Sequence, residues 1–171
     1  MVLAVAGLTL GGCASYTSEV KMELFVRTAP MPSLVKQGAE LMAAELRAKQ
    51  TPGDFALIGA GSSMEPMYVA GTAIVVHPQN YTTLRRGQPV VYRNSRGRLV
   101  AHMLIEETRG GWIVVGVNNA EADDDLVTRD NLVGVIKAAY AAADTPLRAD
   151  VAARIALRDG LKTGAKIALL R

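Results

Sequence analysis

Between Asp54 and Tyr140 the apolar positions fall into short runs rich in β-branched and aromatic residues, separated by turn residues. The runs are 55–58, 73–77, 89–93, 99–106, 112–117 and 132–138, each the length of one strand. Asn94-Ser95-Arg96-Gly97 and Arg109-Gly110-Gly111 divide runs of similar length, as the turns of consecutive hairpins do. The pattern predicts an antiparallel, strongly bent sheet or partial barrel over residues 54–140. Upstream, Val20, Met22, Leu24 and Val26 recur at every second position, which is strand spacing, with Phe25 on the other face. Pro30 and Pro32 close that segment as a linker. Over residues 33–49, Leu34, Val35, Leu41, Met42 and Leu46 recur at helical spacing, with Lys36, Gln37, Glu40 and Arg47 on other faces. An amphipathic helix is expected there, with Ser33 as N-cap and Thr51-Pro52-Gly53 at its end. After the sheet, residues 138–143 are Ala-rich, Thr145-Pro146 interrupts, and residues 149–158 have helical spacing with Gly160 as a stop. Residues 161–171 fit helix or loop equally. The expected fold class is mainly β with flanking α-helices (α+β).

A chain of 171 residues, half of them apolar, has room for one domain plus a short extension and can bury a core without disulfides or metal. The net charge is only +3, no long basic run occurs, and aromatic residues make up 5%, so nucleic-acid binding is not suggested. One amphipathic helix with no second at turn distance also argues against a helix-turn-helix. A single cysteine cannot form an intrachain disulfide, and with the two histidines it has no metal-ligand spacing. No metal and no cofactor are expected.

That cysteine stands at the end of an apolar stretch. Residues 2–10 are too short to span a bilayer comfortably, and they run into Gly11-Gly12-Cys13-Ala14-Ser15. Leu10-Gly11-Gly12-Cys13 resembles a bacterial lipoprotein signal, in which the cysteine is lipidated and becomes the mature N-terminus. No Lys or Arg precedes the apolar run, so the positive segment that usually opens such a signal is missing. The competing reading is a buried N-terminal element with a core cysteine. Small residues ending in Gly-Gly-Cys make a poor core element, which favours the anchor. Residues 1–12 are therefore read as a signal peptide, 13–53 as tether and amphipathic helix, 54–140 as the β-domain and 141–171 as a helical extension. The anchor implies a lipoprotein facing the periplasm or the cell exterior.

The candidate chemistry centres on residues 59–67, Gly-Ala-Gly-Ser-Ser-Met-Glu-Pro-Met. Glycines let such a turn bend and Pro66 fixes the backbone, so Ser62 or Ser63 can present its hydroxyl clear of neighbours. A serine hydroxyl needs a base. An imidazole, whose ordinary pKa is ~6.5, can take its proton and return it, and His102 lies in a β-rich run where a strand would hold it rigidly. A carboxylate to orient the imidazole is available three times, in Asp123-Asp124-Asp125. Each part alone has a plainer reading: a loop, a structural histidine, a solvated acidic turn.

Order and spacing together tip the balance. Gly61-x-Ser63-Met64-x-Pro66, Gly71 with Ile74-Val75-Val76, Arg86-Gly87-x-Pro89-Val90-Val91, Val100-Ala101-His102, Gly116-x-Asn118-Asn119-x-x-x-Asp123 and Leu132-Val133-Gly134-Val135-Ile136 resemble the signal peptidase I and LexA-like superfamily of serine peptidases. The resemblance covers roughly residues 55–138. It implies Ser63 as nucleophile, His102 where many members carry a lysine base, and Asp123 as the acid. This is the pattern of the Ser-His signal peptidases of the endoplasmic reticulum and archaea. The chain departs from the family at Thr72, Val117, Met67 and Met103, where Asp, Asp, Thr and Arg are usual. Gly61 also stands where many bacterial members carry an oxyanion-binding Ser. The Ser63 backbone N–H, with Ser62 nearby, would then hold the tetrahedral oxygen, and losing one such donor typically costs ~3 kcal/mol.

The resemblance implies a membrane-anchored endopeptidase cutting small-residue sites on exported or membrane-associated polypeptides, possible signal peptides among them. A catalytically inert binding module and a self-cleaving regulator are the alternatives. The second lacks a DNA-binding head. His77, which precedes Pro78, has no role in the family pattern and is expected to be a surface or structural residue.

Overall fold

A computed structural model describes residues 17–143 of the chain; Cys13, the signal reading of residues 1–12 and the helical expectation for 149–158 lie outside them. The first element is α1, Ser18–Thr28, a helix where two-residue alternation suggested a strand. Thr17 caps it by accepting the Val20 N–H, and Glu19 and Arg27 sit at the ends that the helix dipole favours. Lys21 and Phe25, four positions apart, are buried, and so is Val26 beside Phe25. The spacing that decides the matter is therefore helical, and Phe25, which spoiled the strand pattern, is the centre of the packed face.

The expected helix over residues 33–49 divides in two. Ser33 does not cap a helix; it lies in β1, Pro32–Val35, which pairs in parallel with the end of the last strand, Pro32 opposite Ala139 and Val35 opposite Ala142. A turn through Gly38 (φ 82) then leads to α2, Glu40–Ala48, with Ala39 at its N-cap position. Its packed face also differs from expectation. Ala44 and Ala48 are buried against Ala73 and Val75, whereas Leu41, Met42 and Leu46 are exposed. Small side chains let the helix lie close to the sheet.

The remaining strands follow the sequence pattern closely: β2 Phe55–Ile58, β3 Ala73–His77, β4 Pro89–Arg93, β5 Leu99–Thr108, β6 Gly111–Val115 and β7 Leu132–Ala142. The Ala-rich stretch after residue 138, read as following the sheet, is the continuation of β7. The seven strands form one sheet in the order β2-β3-β7-β4-β5-β6, with β1 also paired to β7. All pairs except β1–β7 are antiparallel, and the sheet is not closed. Register shifts at Val75/Val76, Val91/Tyr92 and Leu104/Glu106 bend it, as bulges do. The fold is thus mainly β with helices, as the pattern predicts.

Two cores form on the sheet. One joins Val76, Val91, Met103, Ile105 and Ile136 to Phe25 and Val26 of α1 and to Met64 and Met67 of the Ser-containing turn. The other joins Val90, Tyr92, Leu104, Trp112, Val114 and Val135. No described helix is long and apolar enough to cross a membrane.

Candidate active site

Residues 62–68 form a run of turns between β2 and β3, closed by Glu65 N–H to the Ser62 carbonyl and Tyr68 N–H to the Met64 carbonyl. Met64, Met67 and Tyr68 are buried beneath it, so the turn is anchored by apolar side chains while Ser63 stays partly accessible. A second loop, following β6, grips it from the side. The Asn118 backbone N–H donates to the Ser63 carbonyl at 2.8 Å and its side-chain amide to the Ser62 carbonyl at 3.2 Å. The loops approach so closely at Gly116 that a Cβ there would stand 2.7 Å from the Ser63 carbonyl oxygen.

His102 sits on β5 opposite Val90 of β4, only 6% exposed. Its Nε2 lies 2.9 Å from Ser63 Oγ and its Nδ1 2.5 Å from Asp123 Oδ2. The same Asp123 oxygen accepts the Tyr92 hydroxyl from β4. An ionised carboxylate can only accept, so the ring proton belongs on Nδ1 and Nε2 turns its lone pair towards Ser63. Burial pushes the Tyr92 phenol far above its ordinary 10.0, reinforced by its hydrogen bond to Asp123 and by the charges of Asp123 and Asp125. Tyr92 therefore remains a donor.

The three aspartates separate cleanly. Asp123 is held next to His102, its N–H donating to the Val114 carbonyl at 2.9 Å. Asp125 accepts from the N–H and the hydroxyl of Ser95, each at 3.0 Å, on the β4–β5 turn, and Asp124 is exposed. Ser62 is exposed and its hydroxyl bonds to none of the described residues. The Ser63 N–H likewise donates to no acceptor among the described residues. His77 is bound through Nδ1 to Asp54 at 2.6 Å, away from this cluster of Ser63, His102 and Asp123.

Three contributors, Tyr92, Lys21 and Tyr68, escaped the sequence pattern, and a fourth, Asn118, stood in the motif without a role. Tyr92 orients Asp123, and Asn118 clamps the turn. Lys21 of α1, only 1% exposed, donates to the Asn119 carbonyl in the same loop, and burial lowers its pKa. Tyr68 donates to the Pro30 carbonyl at 2.7 Å while Phe25 packs edge-on against its ring at 5.1 Å. The available signal was a lysine four residues before a phenylalanine on one helical face, which is visible only once α1 is read as helix.

Beside Ser63 lies a cleft of about 380 Å³, floored by Leu57, Ile74, Val91 and Ala101. Two strand edges there face no partner strand among the described residues. β2 pairs only with β3, and β5 pairs with β4 over residues 99–103 but with β6 only from Met103 onwards. The cleft is thus flanked by main-chain groups free to pair with an extended chain. Among the described residues no cluster of three or more His, Cys, Asp or Glu side chains could hold a metal ion.

A serine hydroxyl, an imidazole and a carboxylate thus stand in hydrogen-bonded series on an open, bent sheet, an arrangement that recurs in serine peptidases of unrelated folds. The sequence profile of the Peptidase S24-like family matches residues 26–137, and the chain belongs to that family. The match begins within α1 and includes β1 and α2, a wider span than residues 55–138. No curated protein matches the chain.

Proposed function

We propose that the chain is a serine endopeptidase of the Ser-His-Asp type, with Ser63 as nucleophile, His102 as general base and Asp123 as the orienting acid. The observation that carries this is the series of contacts at 2.9 Å and 2.5 Å through one imidazole. In the first step His102 Nε2 takes the Ser63 proton as Oγ attacks the scissile carbonyl, and Asp123 stabilises the imidazolium. His102 then passes that proton to the leaving amine, and water hydrolyses the acyl-enzyme by the reverse route. The unengaged Ser63 N–H supports a role as oxyanion donor, with Ser62 beside it. A polypeptide lying extended between the edges of β2 and β5 fits the cleft, and the resemblance to the Ser-His signal peptidases supports exported or membrane-associated chains as its substrates.

Cys13 would carry lipid and hold the domain at a membrane facing the periplasm or cell exterior. If Cys13→Ser leaves the protein equally membrane-bound, that anchor is lost from the argument. The catalytic reading is tested by incubating the full chain with a panel of peptides containing small-residue sites and following cleavage by mass. Ser63→Ala and His102→Ala should each reduce turnover to background, Asp123→Asn less completely, and Asp124→Asn hardly at all. Cleavage that survives Ser63→Ala but not Ser62→Ala overturns the assignment. So does dependence on Lys137, which is exposed on β7.

A further inference from the structure

The cleft beside Ser63 is apolar along its floor, yet one wall carries a charge. Among its described lining residues Arg98 is the only one with a formally charged side chain. It precedes β5 directly, and its backbone is fixed: the Arg98 N–H donates to the Asn94 side chain at 2.9 Å and its carbonyl accepts the Asn94 N–H at 2.9 Å. Arg98 is exposed, and its guanidinium pairs with no carboxylate of the described residues. Asp125, which reaches the same β4–β5 turn, accepts from Ser95. Arg93 and Arg96, close by in sequence, do not line the cleft, and Arg93 donates to the Gly97 carbonyl, so the charge at this rim is that of Arg98.

We propose that Arg98 is a specificity-determining residue that selects polypeptides carrying a carboxylate side chain about four residues from the scissile bond. The inference rests on the peptidase reading above. Arg98 lies four positions before His102 on one continuous stretch of chain leading into β5, about 13 Å at the usual rise per residue. A substrate extended alongside this strand covers the same length in four residues. Its carboxylate would then meet a planar donor fork at a rim where nothing else competes. Because the cleft lies to one side of Ser63, the preference falls on one side of the scissile bond only.

The test is a glutamate scan. A cleaved peptide is remade with Glu, and in parallel with Gln, at each of the positions flanking the scissile bond, and kcat/KM is measured for each pair with the full-length protein. The expected result is a Glu-over-Gln ratio of about two- to five-fold, the range of exposed ion pairs, at one position three to five residues from the bond on one side. That ratio should shrink at high salt. In Arg98→Gln it should fall to one, and in Arg98→Glu a Lys-containing peptide should overtake the Glu-containing one. A ratio of one at every position in the unaltered protein, or a ratio indifferent to both Arg98 variants, overturns the proposal. Failure to cleave any peptide is a different result: it removes the peptidase reading, and this proposal with it.

Discussion

Gly116→Ala isolates the fit between the two loops that build the site. Gly116 does not occupy the left-handed region, so an alanine meets no backbone strain; what it meets is the neighbouring chain. Its Cβ would stand 2.8 Å from the Asn119 side chain, which can swing aside, and 2.7 Å from the Ser63 carbonyl oxygen, which cannot move without its backbone. Ordinary contact begins at 3.4 Å, so the carbonyl must retreat by about 0.7 Å. Carried in full to the hydroxyl and along the contact, that displacement stretches the 2.9 Å between Ser63 and His102 to at most ~3.6 Å, beyond hydrogen-bond reach. Misplacements of this size cost on the order of 10- to 100-fold in rate, whereas overpacking one methyl destabilises by about 1–3 kcal/mol. The variant should therefore remain folded, with a urea midpoint only modestly lowered, while kcat for a cleaved peptide falls by at least ten-fold. Full turnover in a folded Gly116→Ala protein would refute the reasoning, since the loops would then accommodate a methyl without moving Ser63.

Thr72 Oγ1 is buried with no hydrogen-bond partner among the described residues, so Thr72→Val should raise stability by about 1 kcal/mol, read as an increased urea midpoint; a lowered midpoint would show the hydroxyl to be satisfied. Tyr92→Phe removes a donor from Asp123 and should cost about 1–2 kcal/mol at neutral pH. The folded Tyr92 keeps its proton above the ordinary 10.0 at which the unfolded chain releases it, so the folded state binds more protons and stability falls as pH rises past about 10. The variant's alkaline loss should be shallower, and an unchanged slope counts against the assignment. Lys21→Met keeps the buried stem and removes the amine; because burial lowers the folded pKa below 10.5, the unfolded chain binds more protons and the unaltered protein gains stability as pH approaches that value. The stability difference between the two proteins should shift towards the unaltered one across that window, and a difference independent of pH would refute it.

The strands of the β-domain were legible because strands buried on both faces read as continuous apolar runs between turn residues; β2, β3 and β4 begin and end where their apolar runs do. Helix α1 was not legible as such. Its alternation of Val20, Met22, Leu24 and Val26 is real but coincidental, since the face that packs is set by Lys21, Phe25 and Val26. β1 was hidden for a different reason: its partner is β7, more than a hundred residues away, and a four-residue parallel edge leaves no periodicity of its own. In α2 the large apolar residues pointed the wrong way because burial there follows close approach to the sheet, which selects Ala44 and Ala48 over leucine. Ser63, His102 and Asp123 could be named from order and spacing, but the choice among Asp123, Asp124 and Asp125 came from a resemblance. Their neighbours make the difference physical: Asp123 faces His102 and Tyr92, Asp125 faces Ser95.

The departures from the family pattern share one property. Met67, Met103 and Val117 are all buried in the core that also holds Phe25 and Val26, and Thr72 is buried with its hydroxyl unpaired. At Met67, Met103 and Val117, where the resemblance leads to the expectation of Thr, Arg and Asp, this chain packs apolar atoms in the same core as Phe25 and Val26 of α1. Polar groups at those positions would need partners, whereas apolar ones need only volume, and Phe25 supplies it against Tyr68. The same helix reaches the loop after β6 through Lys21 and Asn119, and that loop holds the Ser63 carbonyl through Asn118. Support for the nucleophile therefore comes from a segment that reads, in sequence, as a linker. A shift of α1 would act on Ser63 by two routes, the buried methionines beneath the turn and the clamp beside it, and the second runs through the loop that also carries Asp123.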